Sequence, residues 1–325
     1  MPQRTASGTR HASEWNITMA KLAAPLAIVL LMLASLHTGP GSAAAQPAAG
    51  VPSPSDVVHQ YTIDGSIRPF LLFWISRSDI GRATITWRHD PQDTEYSLLI
   101  GTDPSRAPRH LNRWGYADEQ LRRGTATILG VMTRSDEQSL DQARANVSHA
   151  SGQPQAFRVI RESVDGQLAR SAVMTLGTRQ HYTFKQLDDV LAQVPPASQF
   201  QHHRSLTLPP GTEPGFLAAL NHLIGETLSG GSTEHPAPVR YVYSGKLYLV
   251  RASDVNQKDE IKTGSGDYQH LLEASFDIHN VATGDDTDFD MTYGTEGALR
   301  GIPVTVQYQP RWWLRLELTL TGPSS

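Results

Sequence analysis

Apolar and polar residues alternate along much of this chain. A period of two marks a half-buried β-strand, whose successive side chains point to opposite faces. The alternation is clean where Ala83, Ile85 and Trp87 interleave with Arg82, Thr84, Thr86 and Arg88. The preceding stretch from Ile67 is apolar on both faces, with Leu71, Phe73 and Ile75 on one and Phe70, Leu72 and Trp74 on the other. Between them the polar run Ser76–Gly81 predicts a hairpin loop. Further strands are predicted at 95–101, ended by the turn at 102–105, and at 125–133. Ser135 and an acidic first turn predict a short helix over 135–147. Asp165-Gly166, between the β-rich arms of 156–177, predicts a tight hairpin, because that dipeptide suits the positive φ such turns need.

Between 183 and 230 the period lengthens to that of a helix. Thr183 and Gln186 form a capping-box pattern, followed by the apolar stripe Phe184, Leu187, Val190, Leu191 and Val194, which Pro195-Pro196 ends. A second helix is predicted from a Thr212 cap, with Phe216, Leu217, Leu220, Leu223 and Ile224 as its buried face and Gly230-Gly231 as its stop. Alternation resumes at Val239. Residues 239–252 read as one long strand or a tight hairpin about Ser244-Gly245. Residues 268–294 read as two strands joined at 282–285, and 302–320 as two more broken at Gln309-Pro310. In the last of these Trp312 shares parity with Leu314, Leu316, Leu318 and Leu320, the core face. Trp313 shares parity with Arg311, Arg315, Glu317 and Thr319, the polar face.

These patterns predict a mainly β protein of antiparallel sheets, a sandwich or a curved, partly closed barrel, with a two-helix insertion. The expected organisation is an N-terminal β-rich region at 61–180, a helical connection at 181–238 and a C-terminal antiparallel β region at 239–325. Parity leaves open whether the two β regions share one core. An outer-membrane barrel is not expected: it needs many strands of about ten residues with outward apolar bands, and this chain has helices and ends in Thr-Gly-Pro-Ser-Ser.

The N-terminus sets the expected compartment. Lys21, the apolar run Leu22–Leu36 and the small residues Ala43–Ala45 follow the order of a secretory signal peptide, with cleavage near Ala45–Gln46. The run is shorter than the roughly 20 residues that span a bilayer. Residues 1–45 are therefore expected to leave, with no membrane anchor behind, and 46–60 to serve as a linker. Met19 offers a second start. The expected location is the periplasm or the exterior. Cysteine is absent, which excludes disulfides, thiolate catalysis and a lipoprotein anchor. The formal charge is −4, and no basic tract stands out, which argues against nucleic acid. The charge is uneven: residues 66–134 hold ten Arg and seven acids, while 252–299 hold eleven acids against Lys258 and Lys262.

Motifs for catalysis are missing. There is no G-x-S-x-G, H-E-x-x-H, P-loop or dinucleotide fingerprint, so no cofactor is expected, and Gly264–Gly266 reads as a turn. Residues 286–297 fail the calcium-loop pattern, with Met291 where glycine belongs and Gly297 where glutamate belongs. They read better as a strand, with Asp286, Asp288, Asp290 and Thr292 on one face and Phe289, Met291 and Tyr293 on the other. Glu273, Ser275, Asp277 and His279 lie on the polar face of the preceding strand. That arrangement is a solvated acidic face or a cation or sugar site built on Asp277, Asp286, Asp288 and His279. Facing carboxylates about 5–5.5 or 6.5–9.5 Å apart could also serve a glycosidase. No metal site is expected elsewhere. His202-His203 read as a polar loop and His222 as a helix-surface residue.

The stretch 101–120 gathers Arg106, Arg109, Arg113, Trp114 and Tyr116. Arginine forks near aromatics recognise carboxylate or phosphate, or they staple a long loop to its sheet. Trp313, flanked by Arg311 and Arg315, is either held by cation–π contact, covered by another element, or free to meet a ligand. The candidate binding surface is therefore Arg109, Arg113, Trp114, Tyr116, Arg311, Trp313 and Arg315.

The signal peptide, the amphipathic strands of 239–320 and the closing Pro303–Leu318 stretch resemble β-rich exported bacterial proteins of unknown function. The resemblance implies an envelope or secreted location and a curved antiparallel sheet, and carries no activity. The expected function is an exported, non-catalytic envelope or secreted binding module whose partner is an envelope glycan, a lipid or a protein. The alternatives are a glycan-active hydrolase using Asp277, Asp286 and Asp288, and a purely structural envelope protein.

Overall fold

The computed structural model of the chain describes residues 55–68, 74–90, 93–133, 155–178, 180–200, 202–230, 236–311 and 314–321. The expected signal peptide, the helix at 135–147 and both Trp312 and Trp313 lie outside them. The strands are β1 (Ser55–Ile67), β2 (Ile75–His89), β3 (Asp93–Thr102), β4 (Trp114–Arg122), β5 (Thr125–Thr133), β6 (Gln155–Asp165), β7 (Leu168–Thr178), β8 (His202–Thr207), β9 (Thr212–Glu213), β10 (Val239–Tyr243), β11 (Lys246–Thr263), β12 (Gly266–Asn280), β13 (Asp286–Gly294), β14 (Pro303–Arg311) and β15 (Leu314–Thr321). Two α-helices accompany them, α1 (Leu187–Leu191) and α2 (Phe216–Gly230). Among the described residues no helix is long and apolar enough to cross a membrane.

All fifteen strands belong to one sheet, in the order β8-β7-β6-β5-β4-β3-β2-β1-β15-β14-β13-β12-β11-β10-β9. Neighbours are antiparallel except β9 and β10. The first and last strands pair in the middle, from Gln60↔Thr321 to Ile67↔Leu314. Two meanders run outward from that pair, and the predicted antiparallel, mainly β class is what the structure has.

The two wings curl toward each other around α2. Asn221 Nδ2 of α2 donates to Tyr96 OH of β3 at 2.8 Å, while the Thr227 and Tyr293 hydroxyls, on α2 and β13, lie 2.7 Å apart. The sheet inside this curl holds the main core. It includes Tyr61, Ile85 and Leu98 from one wing, Phe276, Tyr293 and Val304 from the other, and Leu217, Leu220, Leu223 and Ile224 of α2. Both predicted β regions thus contribute to one cluster. A second apolar cluster lies on the outer face of β4–β7: Trp114, Val131, Phe157, Val159 and Ala172 under Phe184, Val190 and Phe200. The segment 182–200 forms a strap over it. At five residues α1 is too short to be stable alone. Burial of Phe184, Val190 and Phe200, each contributing about 1.5–3 kcal/mol, holds it in place.

Local patterns explain most of the turns. The capping box of Thr183 and Gln186 is present, opening a 3₁₀ turn at Phe184–Gln186 that runs into α1. Asp165 and Leu168 close the β6–β7 hairpin, and Gly264-Ser265 turns β11 into β12. Ser244 and Gly245, at φ 54° and 67°, make the tight β10–β11 turn, whose two positive φ values match the strand twist.

Four expectations need correction. Ser76–Gly81 is not a hairpin loop: β2 runs through it beside β1, with a register shift between Ile63 and Gly65. A strand already paired to β1 on both sides of the polar break absorbs it as a bulge, with Asp79 at φ 60° and its N–H donating to Asp64 Oδ1 at 2.6 Å. Thr212 does not cap α2; it sits in β9 and its hydroxyl donates to the Pro209 carbonyl. His202-His203 are not in a loop but begin β8, where the free edge of β7 supplies the ladder that the polar sequence did not advertise. Gln309-Pro310 does not separate two strands either. β14 continues to Arg311, and the register shift between Tyr308 and Arg311 accommodates a proline that has no N–H to give.

Candidate functional site

The expected loop at 101–120 is a loop only as far as Arg113: Trp114 and Tyr116 belong to β4, where the ladders to β3 and β5 extend the strand, and the other residues are tied into the fold. Trp114 is fully buried, and its indole N–H donates to the Tyr182 carbonyl at 2.9 Å. Asn112 Nδ2 and Gln155 Nε2 donate to the same carbonyl, which anchors the strap. The Arg113 backbone N–H donates to Thr102 Oγ1, and Arg106 pairs with Asp79. Arg109 lies in the 3₁₀ turn Pro108–His110. Tyr116 is half-buried beside the strap, and burial pushes its hydroxyl up beyond the usual tyrosine range. Arg315 lies on β15, four strands from β4 in the sheet order, and donates to Gln307 Oε1. It lines a hollow of about 350 Å³ with Asp288, Asp290 and Tyr308. Arg311 pairs through its backbone with Leu314. Trp313 lies outside the described residues. The structure therefore does not gather the loop residues and the β15 residues into one place.

The acidic hairpin has the alternation its sequence predicts. Asp286, Asp288 and Asp290 are exposed while Phe289, Met291 and Tyr293 are buried. Asp277 faces Asp288 across the ladder, and His279 faces Asp286, with Nδ1 2.7 Å from Oδ1. Burial, then the charge of Asp286, pushes the Asp277 carboxyl up, while Arg251 and His279 pull it down. Ser275 Oγ donates to Asp290 at 2.6 Å. Among the described residues no group of three or more His, Asp or Glu is arranged to hold a metal ion. His222 is exposed on α2, 2.8 Å from Glu213.

A better-formed site lies on the outer face of β4–β8. Residues directly opposite across a ladder share a face. One row across these strands reads Asp118, Leu129, Arg161, Ala172, His203, and the next reads Gln120, Thr127, Ser163, Arg170, Ser205. The neighbouring row, Tyr116, Val131, Val159, Met174, is apolar and supports the strap. The outer face is thus half covered and half open. On the open half, Ala172, Ser163 and Ser205 are short, so a cleft of about 630 Å³ remains between the long side chains.

The charge of the cleft comes mainly from its arginines. Arg82, Arg88, Arg106 and Arg122 all form ion pairs. Arg161 and Arg170 line the cleft on its outer face and belong to no ion pair among the described residues. The Arg161 guanidinium lies 5.7 Å from the centre of the Phe200 ring, and its buried Nε has no hydrogen-bond partner. His203 Nε2 donates to the Phe200 carbonyl at 2.7 Å. At the β4 end, burial and then the charge of Glu95 push the Asp118 carboxyl up to about 6. Gln120 Nε2 donates to it at 3.1 Å. Part of this site was legible: a tight turn at Asp165-Gly166 sets Arg161 and Arg170 on one face. His203 was not, because its strand has no apolar alternation.

Two buried carboxylates work on the inner face. Glu119 accepts the N–H groups of Leu217 and Ala218 at 2.9 and 3.0 Å, so a β4 side chain caps the first turn of α2. Burial pushes its carboxyl up to about 8, against the pull of those backbone donors. Glu162 accepts the Gly245 N–H at 3.2 Å, and burial pushes it up to about 7. Beside it Arg158 Nη2 donates to Ser244 Oγ at 3.1 Å. Both carboxylates fasten one wing of the curl to elements of the other.

No family model matches the chain, and neither a curated protein nor a solved structure matches it.

Proposed function

We propose that the protein is an exported, non-catalytic binding module of the cell envelope or the exterior, and that it takes an anionic ligand or partner in the cleft over β4–β8. The observation that carries this reading is the pair Arg161 and Arg170, on one face of adjacent strands and in no ion pair among the described residues. A guanidinium is a planar donor fork that stays charged at any physiological pH, so it holds an anion rather than transferring a proton. The short residues around them leave room for that anion, and the Gln120 amide offers a donor at the far end of the cleft. Of the candidate binding residues read from the sequence, Tyr116 lies two positions before Asp118 on the same face of β4. The N-terminal pattern of charge, apolar run and small residues supports export.

Titration of the protein with carboxylated glycans, anionic vesicles and acidic peptides tests the reading. Binding is expected to weaken with added salt, since exposed charges are screened over about 8–10 Å, and to weaken in Arg170→Ala. If no anion of the three classes binds, or if an Arg161→Ala, Arg170→Ala double variant binds unchanged, the reading fails.

A second reading has one observation in its favour, the raised carboxyl of Asp277 beside Asp286 and Asp288. A glycan-active hydrolase built there would turn over a polysaccharide panel and lose that turnover in Asp286→Asn or Asp288→Asn.

A further inference from the structure

The cleft ends at an open edge of the sheet. β8 is laddered to β7 from Leu168↔Thr207 to Val173↔His202, and among the described residues nothing pairs with its other side. Five of its six residues are exposed and Leu206 is half-buried. An edge strand points alternate N–H and C=O groups away from its neighbour, which makes it a template for another strand. The opposite edge is different. β9 has two residues and adjoins α2, so it offers no comparable length.

Charge says what this edge accepts. His203 lies on its outer face, with Arg161 and Arg170 behind it in the rows across β6 and β7. Arg204 lies on the other face, exposed and in no ion pair among the described residues. An added strand would sit about 4.8 Å beyond β8 and about 10 Å from β7. Acidic side chains at alternate positions of such a strand come within reach of the Arg170 guanidinium, and those of the other parity come beside Arg204. A second copy of β8 would bring the same cations and be repelled, since like charges opposite one another destabilise a strand pair.

We propose that β8 accepts an extended acidic polypeptide segment as an added strand, its backbone completing the open ladder and its carboxylates set against Arg170, His203 and Arg204. This rests on the cleft being an anion-binding surface, and it names the partner as a protein. Main-chain pairing supplies affinity in this mode and the flanking side chains supply selectivity.

The test is fluorescence anisotropy with the full chain at low salt and a labelled heptapeptide alternating Glu and Thr. Its comparison probes are the same peptide N-methylated at alternate backbone nitrogens, polygalacturonate, and inorganic phosphate. N-methylation keeps the charge and removes the ladder donors. The expected result is binding of the unmodified peptide, weakened about tenfold or more both by N-methylation and by Arg170→Ala, in keeping with loss of charge-assisted and ladder hydrogen bonds. Arg170 is exposed, so the variant should keep the wild-type circular dichroism and melting temperature. Equal binding of both peptides overturns strand addition, as does tighter binding of polygalacturonate or phosphate than of the unmodified peptide; either leaves the anion-binding cleft standing. Failure of every probe to bind overturns both.

Discussion

Replacing Glu119 by glutamine removes a titratable proton from the start of α2 while keeping the shape of the side chain. In the native protein both carboxylate oxygens accept first-turn N–H groups, at 2.9 and 3.0 Å. Burial nevertheless raises the carboxyl from its ordinary 4.5 to about 8. Between those values the folded protein holds a proton that the unfolded chain has released. The sign follows: stability from this group is complete below about pH 4.5 and is lost as pH rises through about 8. One pKa unit corresponds to about 1.4 kcal/mol, so the window is worth on the order of a few kcal/mol. Glutamine has no proton to lose. It can accept from one N–H but turns its own NH₂ toward the other, at a cost of about 1–3 kcal/mol. The variant should therefore be clearly less stable than wild type near pH 5 and close to it near pH 8. Glu162 and Asp118, raised to about 7 and about 6, keep some downward slope in both proteins. Urea unfolding followed by tryptophan fluorescence at pH 5, 6, 7 and 8 measures the two curves. A wild-type stability that rises over this range, or a variant whose slope equals the wild type's, would refute the reasoning.

Other outcomes follow from single contacts. Trp114→Phe keeps a ring in the second core but leaves the Tyr182 carbonyl without its indole donor; a loss of about 1–2 kcal/mol in chemical denaturation is expected, with faster proteolysis in the 182–200 strap. Gly245→Ala forces a Cβ at φ 67° to within 3.2 Å of the Ser171 and Arg204 side chains, so it should cost about 1–2 kcal/mol, readable as a lowered melting temperature. Asp288→Asn removes an exposed carboxylate from a strand face crowded with acids, and its melting temperature should stay the same or rise slightly, within about 0.5 kcal/mol.

Nearest-neighbour chemistry made much of the fold readable. The faces of β13 could be assigned from Asp286, Asp288 and Asp290 alternating with Phe289 and Met291, because only one parity avoids burying charge. The turns at Asp165-Gly166 and Ser244-Gly245, and the Thr183–Gln186 capping box, could be assigned because their residues act within a few positions of one another. The same local view failed where a distant partner changed the outcome. Ser76–Gly81 reads as a loop until β1 lies beside it, and Thr212 reads as a cap until Glu119 takes that role from β4.

The sequence by itself determined which side of each amphipathic strand turns inward, since every second residue carries that information in its own polarity. Tertiary structure alone decided that β1 pairs with β15, that α2 is capped by a carboxylate 98 residues before Leu217 in the chain, and that His203 joins Arg161 and Arg170 on one open face. Those arrangements depend on register between strands far apart in sequence. A polar face turned to solvent is compatible with many registers, so its pattern specifies none of them.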